Sequence, residues 1–193
     1  MKRNRIIVLT GGIGSGKSLA ARILSERFRV LSADEVSREI IERPEIRAEI
    51  KARLTDRFFG ETGLDRKAFG RWVFSSEART ATLNEIMHPA VCEELLSRAR
   101  ATEGTVFVEI PLFFEAGGRF PCEEVWVISA DRETRIARTM ARDGLSREEI
   151  EARMNRQIAI ENLSSAYTVI ENNGSAEDLR RRLSAELARI GEQ

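Results

Sequence analysis

Five short apolar runs, several rich in β-branched residues, punctuate the chain: RIIVLT (5–10), FRVLS (28–32), TVFVEI (105–110), EVWVIS (124–129) and YTVIEN (167–172). Their hydrophobicity is continuous rather than alternating, as in strands covered on both faces of a parallel sheet. Between them the spacing turns helical. Leu19, Ile23 and Leu24 recur this way within 17–27, and Leu179, Leu183, Leu187 and Ile190 form one stripe near the C-terminus. Ser175 and Asp178 stand ahead of that stripe at capping-box spacing. Strands alternating with helices predict an α/β three-layer sandwich with a five-stranded parallel sheet and right-handed crossovers.

Two segments are too long to be plain crossovers. Residues 35–103 are helix-like and interrupted at Pro44, Gly60, Gly63 and His88-Pro89, which predicts an inserted helical lobe. Residues 131–165 are arginine-rich. There Asp143-Gly144 predicts a turn, and Ser146-Arg147-Glu148-Glu149 predicts a capping box opening a second helix. That pair reads as a helical hairpin, the shape of a lid. The expected organisation is a single domain over 1–193, with a core (1–34, 104–130, 166–193), a lobe (35–103) and a lid (131–165).

Composition narrows the classes. With 193 residues, 42% hydrophobic and 32% charged, the chain reads as an ordinary soluble globular protein. Thirty-one basic residues balance thirty-one acidic ones, which gives no reason to expect nucleic acid or an anionic membrane, so an anion site must be local. Cys92 and Cys122 are too few and too far apart for a disulfide framework or a zinc site, and are expected to be reduced thiols without function. The start MKRNRIIVLTGG has a short apolar run that stops at glycines, which fits neither a signal peptide nor a membrane span. The expected location is cytoplasmic, and no obligate protein partner is evident.

Candidate chemistry begins at residues 9–18, LTGGIGSGKS. Gly11 to Ser18 satisfy the phosphate-loop pattern G-x-x-x-x-G-K-[ST], with a strand before it and an amphipathic helix after it. Glycines let successive N–H groups turn inward at phosphate oxygens, and the following helix adds its free N–H groups. This assigns Gly12, Ile13, Gly14, Ser15, Gly16, Lys17 and Ser18 to ATP or GTP. Lys17 supplies full positive charge at the β- and γ-phosphates, and the Ser18 hydroxyl can ligand Mg²⁺. The guanine motif Asn-Lys-x-Asp of switch GTPases is absent at its best-placed stretch, Glu171-Asn172-Asn173-Gly174. A short core with a lobe after strand two and an arginine-bearing lid after strand four fits a P-loop, nucleoside-kinase-like small-molecule kinase, by analogy of architecture.

The chain resembles the dephospho-CoA kinase family along nearly its whole length. The resemblance is carried by LTGGIGSGKS (9–18), SADEVSREI (32–40), GLDRKAFGRWVFSS (63–76), IMHPAV (86–91), IPLFFEAG (110–117), RTMARDGLS (138–146) with Gln157, and VIENNGSAEDL (169–179). It implies transfer of the ATP γ-phosphoryl group to the 3′-hydroxyl of dephospho-CoA, with Mg²⁺, as the last step of coenzyme A synthesis. Left open beside it are a kinase of another small alcohol or nucleotide, and a nucleotide-dependent regulatory protein that hydrolyses slowly.

The resemblance also implies roles. Asp34 matches the second acid of the family's Asp-Ala-Asp and is expected to accept or orient the acceptor hydroxyl; the alternative is a helix N-cap. Ser32 departs from that pattern, and Glu109, at the end of the third apolar run, is expected to supply the missing carboxylate to Mg²⁺. Arg138 and Arg142 match family positions in the lid, with Arg142 expected near the transferred phosphoryl group, while Arg135 on the same helical face reads as solvated. Asn172 and Gly174 fall where adenine contacts are implied, or simply form a turn. Arg66, Lys67, Arg71 and His88, with Pro111 and Leu112, are the candidate acceptor-binding residues; as surface basics the first three are also ordinary. Tyr167 stands where the family more often has an acid.

Overall fold

The computed structural model describes residues 4–60, 63–157 and 167–192. These form two compact units: one of the residues up to Leu31 together with those from Ala99 onward, the other Ser32–Arg98.

The first unit is built on a five-stranded sheet. Its strands are β1 (Arg5–Thr10), β2 (Arg29–Ser32), β5 (Thr105–Glu109), β6 (Glu124–Ser129) and β7 (Thr168–Glu171), in spatial order β2-β5-β1-β6-β7. Each coincides with one of the five apolar runs. The register is parallel on both sides of β1, with Leu9 opposite Glu109 of β5 and Trp126 of β6. Two layers explain why these runs are apolar throughout. On one face Ile7, Leu9, Phe107, Trp126, Ile128 and Ile170 pack against Ala20, Ala21 and Leu24 of α1 (Lys17–Ser25) and Leu179, Leu183 and Leu187 of α8 (Ala176–Arg189). On the other, Ile6, Val8, Val106, Val108, Val125 and Val127 are buried as well. The indole N–H of fully buried Trp126 donates to Glu124 Oε2 at 3.1 Å, so no polar atom of that side chain is stranded.

The arginine-rich segment forms the expected hairpin, α6 (Arg132–Asp143) and α7 (Arg147–Met154), joined through Gly144 with φ +67°. Ser146 and Glu149 close the capping box predicted for α7. Residues 158–165 of the expected lid lie outside the described residues. Ile136, Ile150 and Met154 make a small core between the two helices, and Leu145 and Ile13 of the glycine loop pack against it.

The second unit holds α2 (Ala33–Ile40), α3 (Pro44–Arg53), the two-residue strands β3 (Phe59–Gly60) and β4 (Gly63–Leu64), α4 (Arg66–Val73) and most of α5 (Glu77–Arg100). The β3–β4 pairing is too short to leave a pattern in the sequence. Phe58, Phe69 and Trp72 cluster in tilted and edge contacts, with Arg79 stacked 4.3 Å over Trp72. The expected break at His88-Pro89 does not occur. α5 runs through Pro89 because its apolar stripe, Leu83, Ile86, Met87, Val91 and Leu95, is buried along its length. Pro89 and Glu85, whose carbonyl loses its helical donor, are both exposed, which leaves that carbonyl to water.

Candidate nucleotide site

The turn between β1 and α1 carries the glycine pattern, and two of its glycines are dictated by backbone conformation. Gly14 has φ +74° and Gly16 φ +93°, in the left-handed region that side chains disfavour. A Cβ on Gly16 would also strike the Asn172 amide, and one on Gly14 the Arg135 carbonyl. Gly16 is the N-cap of α1 and brings no side-chain cap. The Leu19 N–H turns back to Gly16 O at 3.0 Å, so the N–H groups of Lys17 and Ser18 are the ones placed for an anion, at the positive end of the helix dipole. Ser15 N–H donates to Gly12 O at 3.1 Å and tightens the turn.

Lys17, the first residue of α1, holds its ammonium 2.6 Å from Glu109 Oε1, with the two side chains 13% and 15% exposed. The parallel register accounts for the meeting, since Glu109 ends β5 beside Leu9, where β1 feeds into the loop. In this half-buried setting the pair is less screened than a surface ion pair. A cleft of about 420 Å³ opens here, lined by the loop residues Gly12, Ile13, Gly14, Gly16, Lys17 and Ser18, by Pro111 and Leu112, and by Arg142 and Gln157. Leu112, half exposed, follows directly from β5 and presents apolar surface to the cleft. Phe114, on the same turn, meets the ring of Tyr167 edge-on at 5.1 Å, which gives that departure from the family pattern a packing role.

Of the three α6 arginines that share a helical face, each is bonded differently. Arg142 borders the cleft and forks onto Asp143 with bonds of 2.7 and 2.8 Å. The two bonds raise the Arg142 pKa and lower that of Asp143. Arg138 instead donates to the carbonyls of Asn172 (2.7 Å) and Gly174 (3.1 Å), tying α6 to the end of β7. Arg135, which reads as solvated in the sequence, is bonded to the loop: its Nε donates to Ile13 O at 2.8 Å and its Nη2 to Gln157 Oε1 at 3.3 Å. The shared spacing with Arg142 was the available signal, and the sequence does not say which of the three turns toward the glycines.

Asn172 is buried at 3% exposure, and its amide donates to Ser15 O at 2.8 Å. It braces the loop from behind rather than lying open to a ligand. Gly174 leaves room for Asp178, whose carboxylate a Cβ there would crowd while it closes the capping box of α8.

In the second unit, Asp34 lies in the first turn of α2 and is exposed. The N-cap is Ser32, whose hydroxyl accepts from Glu35 N–H at 3.4 Å, so the capping alternative for Asp34 does not hold. Arg66 is bound to Glu42 (2.7 Å), which it shares with Arg47, and to Arg38 O (2.9 Å). Lys67 and Arg71, four apart on α4, are exposed, as is His88 on α5.

Among the described residues no cluster of three or more His, Cys, Asp or Glu is placed to hold a metal by itself. The donors near the loop are oxygens, the Ser18 hydroxyl and the Glu109 carboxylate. That set suits a hard divalent cation that takes its remaining ligands from phosphate and water. Burial raises the pKa of both Cys92 and Cys122, keeping them as thiols at neutral pH. Among the described residues no helix is long and apolar enough to cross a membrane.

The family model described as dephospho-CoA kinase matches residues 5–178. A dephospho-CoA kinase of Geobacter metallireducens is 40% identical over 191 residues, covering 93% of this chain and 94% of the relative. A solved Thermus thermophilus structure is 40% identical with a TM-score of 0.80, covering 98% of this chain and 99% of its own. The dephospho-CoA kinase structure from Campylobacter jejuni is 30% identical with a TM-score of 0.63, covering 97% of both chains.

Proposed function

The chain belongs to the dephospho-CoA kinase family, the ATP-dependent phosphotransferases of the final step of coenzyme A synthesis, and from that premise we propose how its residues do the work. The substrates are ATP and dephospho-CoA, the acceptor is the ribose 3′-hydroxyl, and the cation is Mg²⁺. The carrying observation is the cleft in which the phosphate loop, Lys17 and Arg142 meet.

The triphosphate lies along the loop, its oxygens received by the backbone N–H groups of Gly14, Gly16, Lys17 and Ser18, with Gly12, Ile13 and Ser15 shaping the turn around them. Lys17 turns from Glu109 to the β- and γ-phosphates. Ser18 and Glu109 are the residues that would hold the cation, whose chemistry is to neutralise charge between phosphate oxygens. Arg142 exchanges Asp143 for the transferred phosphoryl group, where a fixed guanidinium stabilises developing charge. Arg138, Asn172 and Gly174 hold the nucleotide end of the site in shape.

Asp34 orients the acceptor hydroxyl and takes its proton as the new O–P bond forms and the bond to the departing β-phosphate oxygen breaks. Its exposed carboxylate, free of the capping duty that Ser32 performs, supports this. The lobe over 35–103 receives the acceptor. Lys67 and Arg71 are its proposed contacts to the pyrophosphate, and His88, Pro111 and Leu112 are proposed as further acceptor contacts, while Arg66, already bonded to Glu42, organises the lobe. The segment 131–165 acts as the lid that excludes water as a competing acceptor. We place the enzyme in the cytoplasm.

The test is a coupled ADP assay with ATP, Mg²⁺ and dephospho-CoA. Acceptor-dependent ADP release is expected, with Asp34→Asn lowering kcat about a hundredfold or more while ATP affinity holds. Slow release indifferent to dephospho-CoA would overturn the assignment, and release stimulated by another alcohol would move it to that acceptor.

A further inference from the structure

Ile13 is held in three ways. Its side chain is partly buried against Ile136, Ile150, Met154 and Leu145 of the helical hairpin. Its N–H donates to Gln157 Oε1 at 2.9 Å, and its carbonyl accepts from Arg135 Nε at 2.8 Å. The Arg135 guanidinium then reaches Gln157 Oε1 at 3.3 Å and closes the ring. The neighbouring residues fit around this contact. A Cβ on Gly12 would strike the Arg135 guanidinium, and one on Gly14 the Arg135 carbonyl, which also accepts from Thr139 Oγ1 at 2.8 Å. The glycine spacing of the loop is therefore matched to α6 as well as to phosphate.

We propose that Arg135 and Gln157 are positioning residues for nucleotide binding, clamping the Ile13 peptide so that the loop already has its anion-receiving curvature before the triphosphate arrives. A glycine-rich turn left to itself loses much backbone freedom when it closes on a ligand, and binding is weakened by that cost. Fixing one residue at donor, acceptor and side chain removes part of it in advance. The Ile13 N–H is then committed to Gln157. The phosphates are received by the amides of Gly14, Gly16, Lys17 and Ser18 and by the Lys17 ammonium.

The inference rests on the nucleotide-site reading, and a test without acceptor separates the two. ATP uptake is measured by calorimetry on the full chain for wild type, Arg135→Met, Gln157→Met, the double variant and Arg135→Lys. Each methionine variant is expected to weaken ATP about tenfold, the loss expected from freeing one backbone residue. The double variant should lose little more than either single one, because both groups hold the same peptide. Arg135→Lys keeps a donor for the carbonyl and should recover part of the loss. In turnover the defect should appear in KM for ATP, with kcat and the acceptor KM within about twofold.

Gln157→Asn, one methylene shorter, withdraws the carbonyl with a milder change and should weaken ATP in the same direction; it decides the matter if a methionine variant fails to fold. Wild-type affinity in these variants overturns the clamp, as does simple additivity in the double variant. Tighter ATP binding by Gln157→Met also overturns it, since the carbonyl would then be competing with phosphate for the Ile13 amide. A wild-type chain that takes up no ATP overturns the nucleotide site and the clamp together.

Discussion

Lys17 and Glu109 face each other at 2.6 Å, so the loop lysine is balanced internally when no anion is present. Partial burial makes that balance necessary, because a lone ammonium or carboxylate there would lack both water and partner. In the proposed function a triphosphate arriving with its cation would exchange partners on both sides, ammonium to phosphate and carboxylate to metal, without stranding a charge. Lys17→Ala should therefore remove most turnover, a loss on the order of a hundredfold or more. Glu109→Gln should leave ATP uptake within a few fold and raise the Mg²⁺ concentration for half-maximal rate about tenfold. An unchanged metal titration would remove Glu109 from the metal's surroundings. Lys17 could be identified from the sequence, because the phosphate-loop spacing is a backbone property local to ten residues. Arg135 could not be separated from Arg138 and Arg142, since three arginines at helical spacing differ only in what each meets across the fold.

The elements obey the same division. β1, β2, β5, β6 and β7 coincide with the apolar runs because strands covered on both faces carry no polar interruptions. Capping boxes at Ser146 and Ser175 hold in the structure because each is a contact within four residues. Ser175 is the more consequential of the two, since α8 starts just after the β7 end that carries Asn172 and supplies three buried leucines to the core. Ser175→Ala should cost about 1 kcal/mol and lower Tm by about 2–4 °C. A calorimetric melt checks this, and an unchanged Tm would show that the cap carries no weight. α5 marks the limit of local reading. Pro89 predicts a break, and burial of the stripe from Leu83 to Leu95 outweighs the lost hydrogen bond.

Among the described residues many charges are joined in pairs and small networks. Arg98 joins Glu39 and Glu94 in the second unit, Arg180 holds Glu26, and Arg189 holds Glu124. Hydrogen bonds from Arg98 and Arg180 set Glu39 and Glu26 below the ordinary carboxylate range, and those from Arg43 and Arg98 do the same for Glu94. At Glu124 burial acts upward, and the bonds from Arg189 and Trp126 outweigh it. A carboxylate lowered by folding contributes stability above its unfolded pKa and loses it as pH falls through the folded value. Stability should accordingly be level from pH 7 to about 5 and fall below about 4.5. Urea midpoints measured at pH 7, 5, 4 and 3 check the window, and a fall beginning above pH 6 would point to another group. Exposure and salt screening keep each pair's share small, so the drop should be gradual and shallower in high salt.

The sequence by itself determined the strands, the phosphate loop, the helix caps and the family, because each is written in spacing over a few residues or in blocks repeated among relatives. Tertiary structure decided which oxygen faces Lys17, which α6 arginine grips Ile13, why Asn172 is buried behind Ser15, and whether α5 survives its proline. Those outcomes depend on groups far apart in the chain and brought together only by the register of the sheet and the packing of the hairpin. A one-dimensional pattern carries no distance between such groups, and the chemistry of the site is set by those distances.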